Sequence, residues 1–401
     1  TLDGRPHRSE PLPHDEDGMA RIAALRGMQP SQFKNALKVT LERVHAIAES
    51  FFEDTPNKTD AAVTSQFQDH LDTWRLYPAF RSDRAQELFE ELKPLLWTEL
   101  NKAADPDAAL RNFDAFMKGL PAGIQVFSLF QANPNLVRLL AKICGSSPAL
   151  ARYLGQNSSV LDAVLTGDFF RPPMGADALT AALEHHLKPA SDFEDKLNAA
   201  RRFVKEEHFR LGVLFLDGTI TARDAGPAFA DLAEAATRVM FNVTLADFER
   251  TYGGFPSGGA TVIAMGSLGG RAFTNASDLD LMVIFDGDMM AESNGKRSLA
   301  PRQYFSRLTQ KLISAISAPT AEGRLYEIDM RLRPSGRSGP VATSLKAYQS
   351  YQMDEAWTWE HLALTRARAI AGAPDLRAIY EDVRTDTITA KSDWPTIREA
   401  I

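Results

Sequence analysis

The 401-residue chain has one cysteine, Cys144. A single thiol excludes a disulfide framework and a cysteine-based zinc site, and it fits a reducing, cytoplasmic compartment. No apolar run reaches the 18 residues that suggest a membrane-spanning helix, and no signal peptide opens the chain. No membrane partner is therefore expected. Basic charge is in deficit: 45 Lys and Arg face 52 Asp and Glu, a formal net charge of −7. A non-specific nucleic-acid binder needs a cationic footprint to neutralise phosphates, so DNA or RNA is not an expected partner. No internal repeat is visible, and no Ser-His-Asp or Cys-His arrangement can be placed. Apolar side chains are plentiful at 44%, enough for packed cores and too many for a disordered chain. The length suits two or three domains. The first residue is Thr1, not Met, which reads as a fragment of a longer protein.

Helical periodicity dominates the first 252 residues. After a polar, proline-bearing opening, Ser31 starts a pattern with Phe33, Leu37, Leu41, Val44, Ala48 and Phe51 on one face. Further helices are expected over 84–100, 108–117, 135–143 and 193–215. Thr221 with Asp224 resembles a capping box, opening a helix that turns Phe229, Leu232, Ala236, Val239 and Met240 inward. The texture changes at Gly253, where a Gly-rich run to Gly259 precedes a strand without the Lys-Ser/Thr ending of a P-loop, and so reads as a boundary loop. Three strand-like runs follow, over 261–265, 279–285 and 325–330. Between the last two lies an amphipathic helix with Tyr304, Phe305, Leu308, Leu312, Ile313 and Ile316 on its apolar stripe. After Thr343 the pattern returns to helix, with a stop at Gly372-Ala373-Pro374. These elements make an α+β chain, mostly helical, with a small mixed sheet.

The chemistry concentrates in Val262-Ile-Ala-Met-Gly-Ser-Leu-Gly-Gly-Arg271 and Ser277-Asp-Leu-Asp-Leu281. A strand runs into a turn formed by Gly266, Ser267, Gly269 and Gly270. Backbone N–H groups in such a turn can hold phosphate oxygens, and glycine permits close approach. Asp278 and Asp280 stand two apart on a strand, so both carboxylates leave one face while Leu279 and Leu281 turn to the core. Adjacent carboxylates repel, and a hard divalent cation such as Mg²⁺ resolves the repulsion. A third acid lies on the last strand: Asp329, with Glu327 on the same face as the competing candidate. Pairing of that strand beside the Asp278 strand would bring three carboxylates together, an arrangement suited to in-line displacement at phosphorus. Arg331 and Arg333 follow directly and could neutralise a polyphosphate. From 261 to 340 the chain has ten Lys/Arg and eight Asp/Glu, net +2, leaving −9 elsewhere. The candidate site is thus the cationic part of an acidic protein.

At these residues the chain resembles the DNA-polymerase-β-like nucleotidyltransferase superfamily, with its Gly-Ser, Asp-x-Asp and third acid. The likeness narrows at Met265-Gly-Ser-Leu-Gly-Gly-Arg271, Ala276-Ser-Asp-Leu-Asp-Leu-Met282 and Tyr326-Glu-Ile-Asp-Met-Arg-Leu-Arg-Pro-Ser-Gly-Arg-Ser-Gly-Pro340. It extends to Asp354-Glu-Ala-Trp-Thr-Trp-Glu-His-Leu-Ala-Leu-Thr-Arg-Ala-Arg368 and to Leu120-Pro-Ala-Gly-Ile-Gln-Val-Phe-Ser-Leu-Phe130 with Ala132-Asn-Pro134. These resemble the glutamine synthetase adenylyltransferase family, whose members carry two related units, one attaching AMP from ATP to a tyrosine of glutamine synthetase and one removing it by phosphorolysis. The Glu-Ala-Trp-Thr-Trp-Glu-His wording is similar to the carboxy-terminal, adenylylating unit. The resemblance implies Asp278, Asp280 and Asp329 as catalytic residues and metal ligands, with Asp329 as general base. It also implies Mg²⁺ as cofactor, ATP as substrate, and PII signalling protein and glutamine as regulators of the full-length protein. One departure stands out: Ser267 occupies a place where the family usually has Lys, so a phosphate-neutralising charge is missing there.

The implied organisation is a tail and helical linker over 1–104, an adenylyltransferase unit over 105–372, and the start of a further helical domain over 373–401. Within the unit, 105–252 is a helical lead-in, 253–340 the sheet core and 341–372 following helices. Rival readings are AMP removal by the same residues, a template-extending polymerase, and a catalytically silent regulatory module. His185 and His186 are expected at the surface, and His361 in a structural role. Of Trp357 and Trp359, one is expected to face the core while the other covers the nucleotide site. Arg366 and Arg368 are expected to pair with acids.

Overall fold

The computed structural model describes residues 70–157, 160–164 and 167–390, together with Gln29, Ser31 and Phe33. Most of the helix expected from Ser31 to Phe51 therefore lies outside the described residues. The chain divides between His70 and Leu71, and every element below belongs to the part from Leu71 onward.

The first helices are α1 (Asp83–Leu100), α2 (Pro106–Gly119), α3 (Ile124–Ala132), α4 (Pro134–Ser146), α5 (Pro148–Gln156) and α6 (Val160–Val164). Starts follow the side chains that can cap them. Ser82 Oγ accepts from the Ala85 N–H at 3.2 Å and Asp105 Oδ1 from the Ala108 N–H at 2.9 Å. Pro106, Pro134 and Pro148 stand at first helical positions, where a missing N–H costs nothing. Trp74, Phe80, Phe89, Phe113 and Phe127 meet in edge-on and tilted pairs with centroids 4.9–5.8 Å apart. Burying each such ring contributes about 1.5–3 kcal/mol.

Next come α7 (Ala176–Leu187), α8 (Phe193–Asp217) and α9 (Ala222–Tyr252). The capping box forms: Asp224 Oδ2 accepts from the Thr221 backbone N–H at 3.0 Å and from its hydroxyl at 2.6 Å. The inward stripe of α9 is buried throughout.

The sheet contains β1 (Gly259–Ala264), β2 (Leu279–Asp286), β3 (Ile328–Asp329), β4 (Thr343–Ser344) and β5 (Arg368–Gly372). Its order is β3-β2-β1-β5, with β4 also beside β2. β1 runs antiparallel to β2 and β5, whereas β3 and β4 run parallel to β2. The sheet is mixed and the fold is α+β. Four further elements complete the unit: α10 (Gly266–Gly269), α11 (Pro301–Ser317), α12 (Leu345–Asp354) and α13 (Thr358–Leu364), followed by α14 (Pro374–Ala390).

Alternation along the strands sorts side chains to two faces. Val262, Ala264, Leu281 and Val283 pack with α7, α8, α9 and α11. Ile263, Met265, Met282 and Ile284 pack with Leu345, Tyr348, Leu364, Leu376 and Tyr380 from α12, α13 and α14. With apolar side chains on both faces, the strands read as runs rather than strict alternation.

Two strands lie where helix was expected. β4 is two residues long, too short to leave a period. β5 contains two alanines, Ala369 and Ala371, which carry little strand preference, and only its pairing with β1 makes it a strand. The third expected run, over 325–330, shortens to Ile328–Asp329.

Candidate active site

β1 ends at Ala264 and the chain turns at once into α10. The turn is shaped by a neighbouring carboxylate. Gly266 has φ +53°, and a Cβ there would lie 2.3 Å from Asp280 Oδ2. Any side chain would displace the Asp280 carboxylate, so glycine is required for contact as well as for backbone conformation. The Met265 N–H donates to the Asp280 carbonyl at 2.8 Å, which fixes the turn against β2.

Asp280 lies on β2, half-buried, between buried Leu279 and Leu281. Asp278 sits one residue before the strand and is exposed. The parallel register places Leu279 beside Ile328 and Asp280 beside Asp329. Glu327 takes another course: its carbonyl accepts from the Leu279 N–H at 2.9 Å, and its carboxylate pairs with Arg324. Register thus puts Asp329, not Glu327, across from Asp280.

The two central acids are in opposite electrostatic states. Burial, then the neighbouring Asp329 and Asp278 charges, push the Asp280 carboxyl above its usual range, against weaker relief from Arg331 and Arg366. Asp329 is held below its usual range, chiefly by hydrogen bonding to Arg331. Its Oδ1 accepts from the Arg331 N–H at 2.8 Å and its Oδ2 from Arg331 Nε at 2.5 Å.

Arg333, expected near a polyphosphate, is committed elsewhere. Its guanidinium donates to the carbonyls of Met330 at 2.7 Å and of Arg337 and Gly339 at 3.2 Å each, so it braces the loop after β3. The remaining glycines of the turn also meet protein. A Cβ on Gly269 would lie 1.8 Å from the Arg366 carbonyl, and one on Gly270 2.6 Å from Arg366 Nε. Arg271, with φ +54°, pairs with Asp231 of α9 at 2.8 Å.

Other expectations divide. His185 and His186 are exposed, and His361 Nε2 lies 3.0 Å from the Gln352 carbonyl, a structural contact. Trp357 and Trp359 are 72% and 52% exposed, so neither faces the core; they stand at the start of α13, where Leu364 alone is buried. Arg368 pairs with Glu234 at 2.8 Å. Arg366 finds no acid among the described residues.

The donor set suits a hard dication: a half-buried carboxylate, its charge opposed by two more, is relieved by a nearby cation. Among the described residues, however, no three His, Cys, Asp or Glu side chains are arranged to hold a metal. The Arg331 contact directs the Asp329 carboxylate, so closure around an ion requires that contact to loosen. A cavity of about 290 Å³ opens beside Asp278, bordered by Lys205, His208, Asn275, Arg324 and Glu327. A larger one of about 990 Å³, by Arg138, Lys142 and Phe170 in the lead-in, gathers no carboxylate cluster. Among the described residues no helix is long and apolar enough to cross a membrane.

With a glycine-serine turn, a paired-strand carboxylate cluster and flanking arginines, the site is chemically suited to polyphosphate. The family model for glutamate-ammonia ligase adenylyltransferase matches residues 137–382. The chain is 40% identical over 389 residues to the bifunctional glutamine synthetase adenylyltransferase/adenylyl-removing enzyme of Brucella suis, covering 90% of this chain and 40% of that protein. The protein of the same name from Mesorhizobium japonicum is 39% identical over 92% of this chain and 40% of its own length. That from Xanthobacter autotrophicus is 44% identical over 76% of this chain and 31% of its own length. The chain thus spans about two fifths of the length of the first two relatives, and the match runs through the whole sheet and its acids: it belongs to the glutamate-ammonia ligase adenylyltransferase family.

Proposed function

We propose that this chain transfers AMP from Mg-ATP to a tyrosine hydroxyl of glutamine synthetase, releasing pyrophosphate. The observation that carries the reading is the Asp280–Asp329 register beside the Gly266 turn, in a chain of this family. The tyrosine oxygen attacks the α-phosphorus, the bond to the β-phosphate oxygen breaks, and pyrophosphate leaves. The hydroxyl proton passes to the Asp329 carboxylate once its Arg331 contact loosens, since that contact holds Asp329 below its usual range and weakens it as a base. Tyrosine titrates near ~10, so this assistance matters at neutral pH. Asp278, Asp280 and Asp329 are the residues that would hold Mg²⁺, which would supply charge neutralisation at the phosphates when bound. Gly266 and Ser267, with Gly269 and Gly270 behind them, shape the wall on which the phosphates rest.

The finer reading is that this is the adenylylating unit of a longer cytoplasmic protein regulated by PII signalling protein and glutamine. A transfer assay with labelled ATP and purified glutamine synthetase tests the proposal: label on the protein supports it, and none with an intact fold refutes it. The relatives' bifunctional name favours one second reading, AMP removal by phosphate at the same acids. ADP release from AMP-modified glutamine synthetase and phosphate, without ATP, would select it.

A further inference from the structure

Ser267 brings no charge to the Gly266–Gly270 turn, yet a guanidinium lies across it. Arg366 stands in the short connection between α13 and β5. Gly269 admits its carbonyl, where a Cβ would come within 1.8 Å. Gly270 admits its side chain, with Nε 2.6 Å and Nη2 3.3 Å from where a Cβ would stand. These two glycines therefore seat one arginine, backbone and head group together.

Four of the neighbouring arginines are occupied by protein; a fifth, Arg337, is exposed in the loop after β3, where its charge reaches Asp329. Arg271 pairs with Asp231, Arg331 with Asp329 and Arg368 with Glu234, while Arg333 donates to loop carbonyls. Arg366 differs. It is exposed, its backbone N–H donates to the Ala363 carbonyl at 3.1 Å, and among the described residues its guanidinium has neither a hydrogen bond nor an ion pair. Its charge nevertheless reaches Asp280. An arginine held over a glycine turn, close to an acid cluster but bonded to none of it, has its donor fork available for an anion. A guanidinium can meet two phosphate oxygens at once.

We infer that Arg366 binds the polyphosphate of the nucleotide, supplying at the turn the positive charge that Ser267 does not. This rests on the adenylyl-transfer reading. The test is calorimetry on the full chain, with Mg-ATP and with adenosine, for the unsubstituted protein, R366Q and R366K. Losing a charge-assisted contact should weaken Mg-ATP binding by roughly 10- to 100-fold in R366Q. Adenosine binding should hold, and R366K should recover part of the loss. The melting temperature of R366Q should stay unchanged, because no protein partner is lost, whereas R368Q should melt lower. Equal Mg-ATP affinity in R366Q and the unsubstituted chain overturns the Arg366 assignment and leaves the adenylyl-transfer reading standing. Equal weakening of ATP and adenosine also overturns it, since the contact would then not be to phosphate. Failure of the unsubstituted chain to bind Mg-ATP overturns both.

Discussion

Glu234 and Asp280 are carboxylates of one unit, both withdrawn from water, and their surroundings differ in kind. Glu234 on α9 is 3% exposed and is met by Arg238 and by Arg368, the latter at 2.8 Å. Arg238 donates onward to the Ile370 carbonyl at 2.7 Å, and Arg368 to the Gly269 carbonyl at 2.9 Å. Each charge there is answered, and the set ties α9, β5 and α10 together. Asp280 has the opposite surroundings: its strongest charged influences are two further carboxylates, Arg331 bonds to Asp329 instead, and Arg366 acts on it only through its charge. A buried acid with its partners in place reads as structure; one left among like charges reads as a place for an incoming cation.

The largest expected effect breaks the comparison at its functional side. Asp280→Asn keeps the shape and removes one of three repelling charges. AMP transfer to glutamine synthetase should fall at least about 1,000-fold, or about 4 kcal/mol of activation free energy. The fold should melt no lower than the parent, because a carboxyl pushed above its usual range costs stability when ionised. A variant that retains near-normal transfer would remove Asp280 from the site.

Removing the cation sharpens the same side. Two carboxylates ~4 Å apart repel by about 4 kcal/mol at an effective dielectric of 20, and a triphosphate adds further negative charge. Divalent metal should be needed for nucleotide binding as well as for chemistry. Titrating ATP with Mg²⁺ and again with excess chelator measures this directly, with a loss of about 100-fold expected. Equal affinities would show that arginines alone neutralise the phosphates.

On the structural side, Glu234→Leu leaves Arg368 without its acid and Arg238 with only the exposed Asp177, at 2.6 Å. Both retain carbonyl contacts and partial exposure, so the expected cost is about 2–3 kcal/mol, at the low end for a broken buried pair. Chemical denaturation measures it. Transfer per folded molecule should change far less than in Asp280→Asn, and an equal collapse would place Glu234 in the catalytic machinery.

How far this contrast was legible in the sequence depends on the range of the interactions. Asp278, Asp280 and the glycine turn lie within fifteen residues, and alternation with Leu279 and Leu281 exposes their face at once. The long helices and the Thr221–Asp224 cap are equally local. The choice between Asp329 and Glu327 was not local: both share a face, and only the register with β2 separates them. Arg366 and Arg368 look alike in sequence, two apart before an alanine-rich run, and only α9 and Gly270 give them different roles. Arg333 reads as available for phosphate because nothing in a linear pattern reveals that its own loop folds back to occupy it. The two exposed tryptophans failed the expectation for a related reason: large apolar side chains predict burial only where an element covers them, and none of the described elements covers the start of α13.

The smallest effect at neutral pH comes from a third kind of group, a half-buried one kept neutral rather than paired or exposed to like charge. His208 on α8 is enclosed by Phe229 and Tyr326, with ring centroids 5.6 and 5.5 Å away, and its Nε2 lies 3.0 Å from the Tyr326 hydroxyl. Burial pulls its pKa down to about 4. The unfolded ring titrates near ~6.5, so the folded state binds fewer protons between these values. His208 therefore costs nothing above pH 6.5, and stability declines as pH falls from about 6.5 towards about 4, where the folded ring also protonates. A shift of that size corresponds to about 3 kcal/mol at the acid end of the window. His208→Gln keeps a hydrogen-bonding group toward Tyr326 and removes the titration. Urea unfolding at pH 7 should separate it from the parent by about 1 kcal/mol or less, while at pH 4.5 the parent should have lost roughly 2–3 kcal/mol that the variant keeps. Because Tyr326 lies three residues before Asp329 on the same run, the acid form should loosen β3 first. Hydrogen exchange at Ile328 and Asp329 would then accelerate on acidification in the parent alone, and identical pH profiles for the two proteins would mean that the ring is hydrated enough to titrate normally.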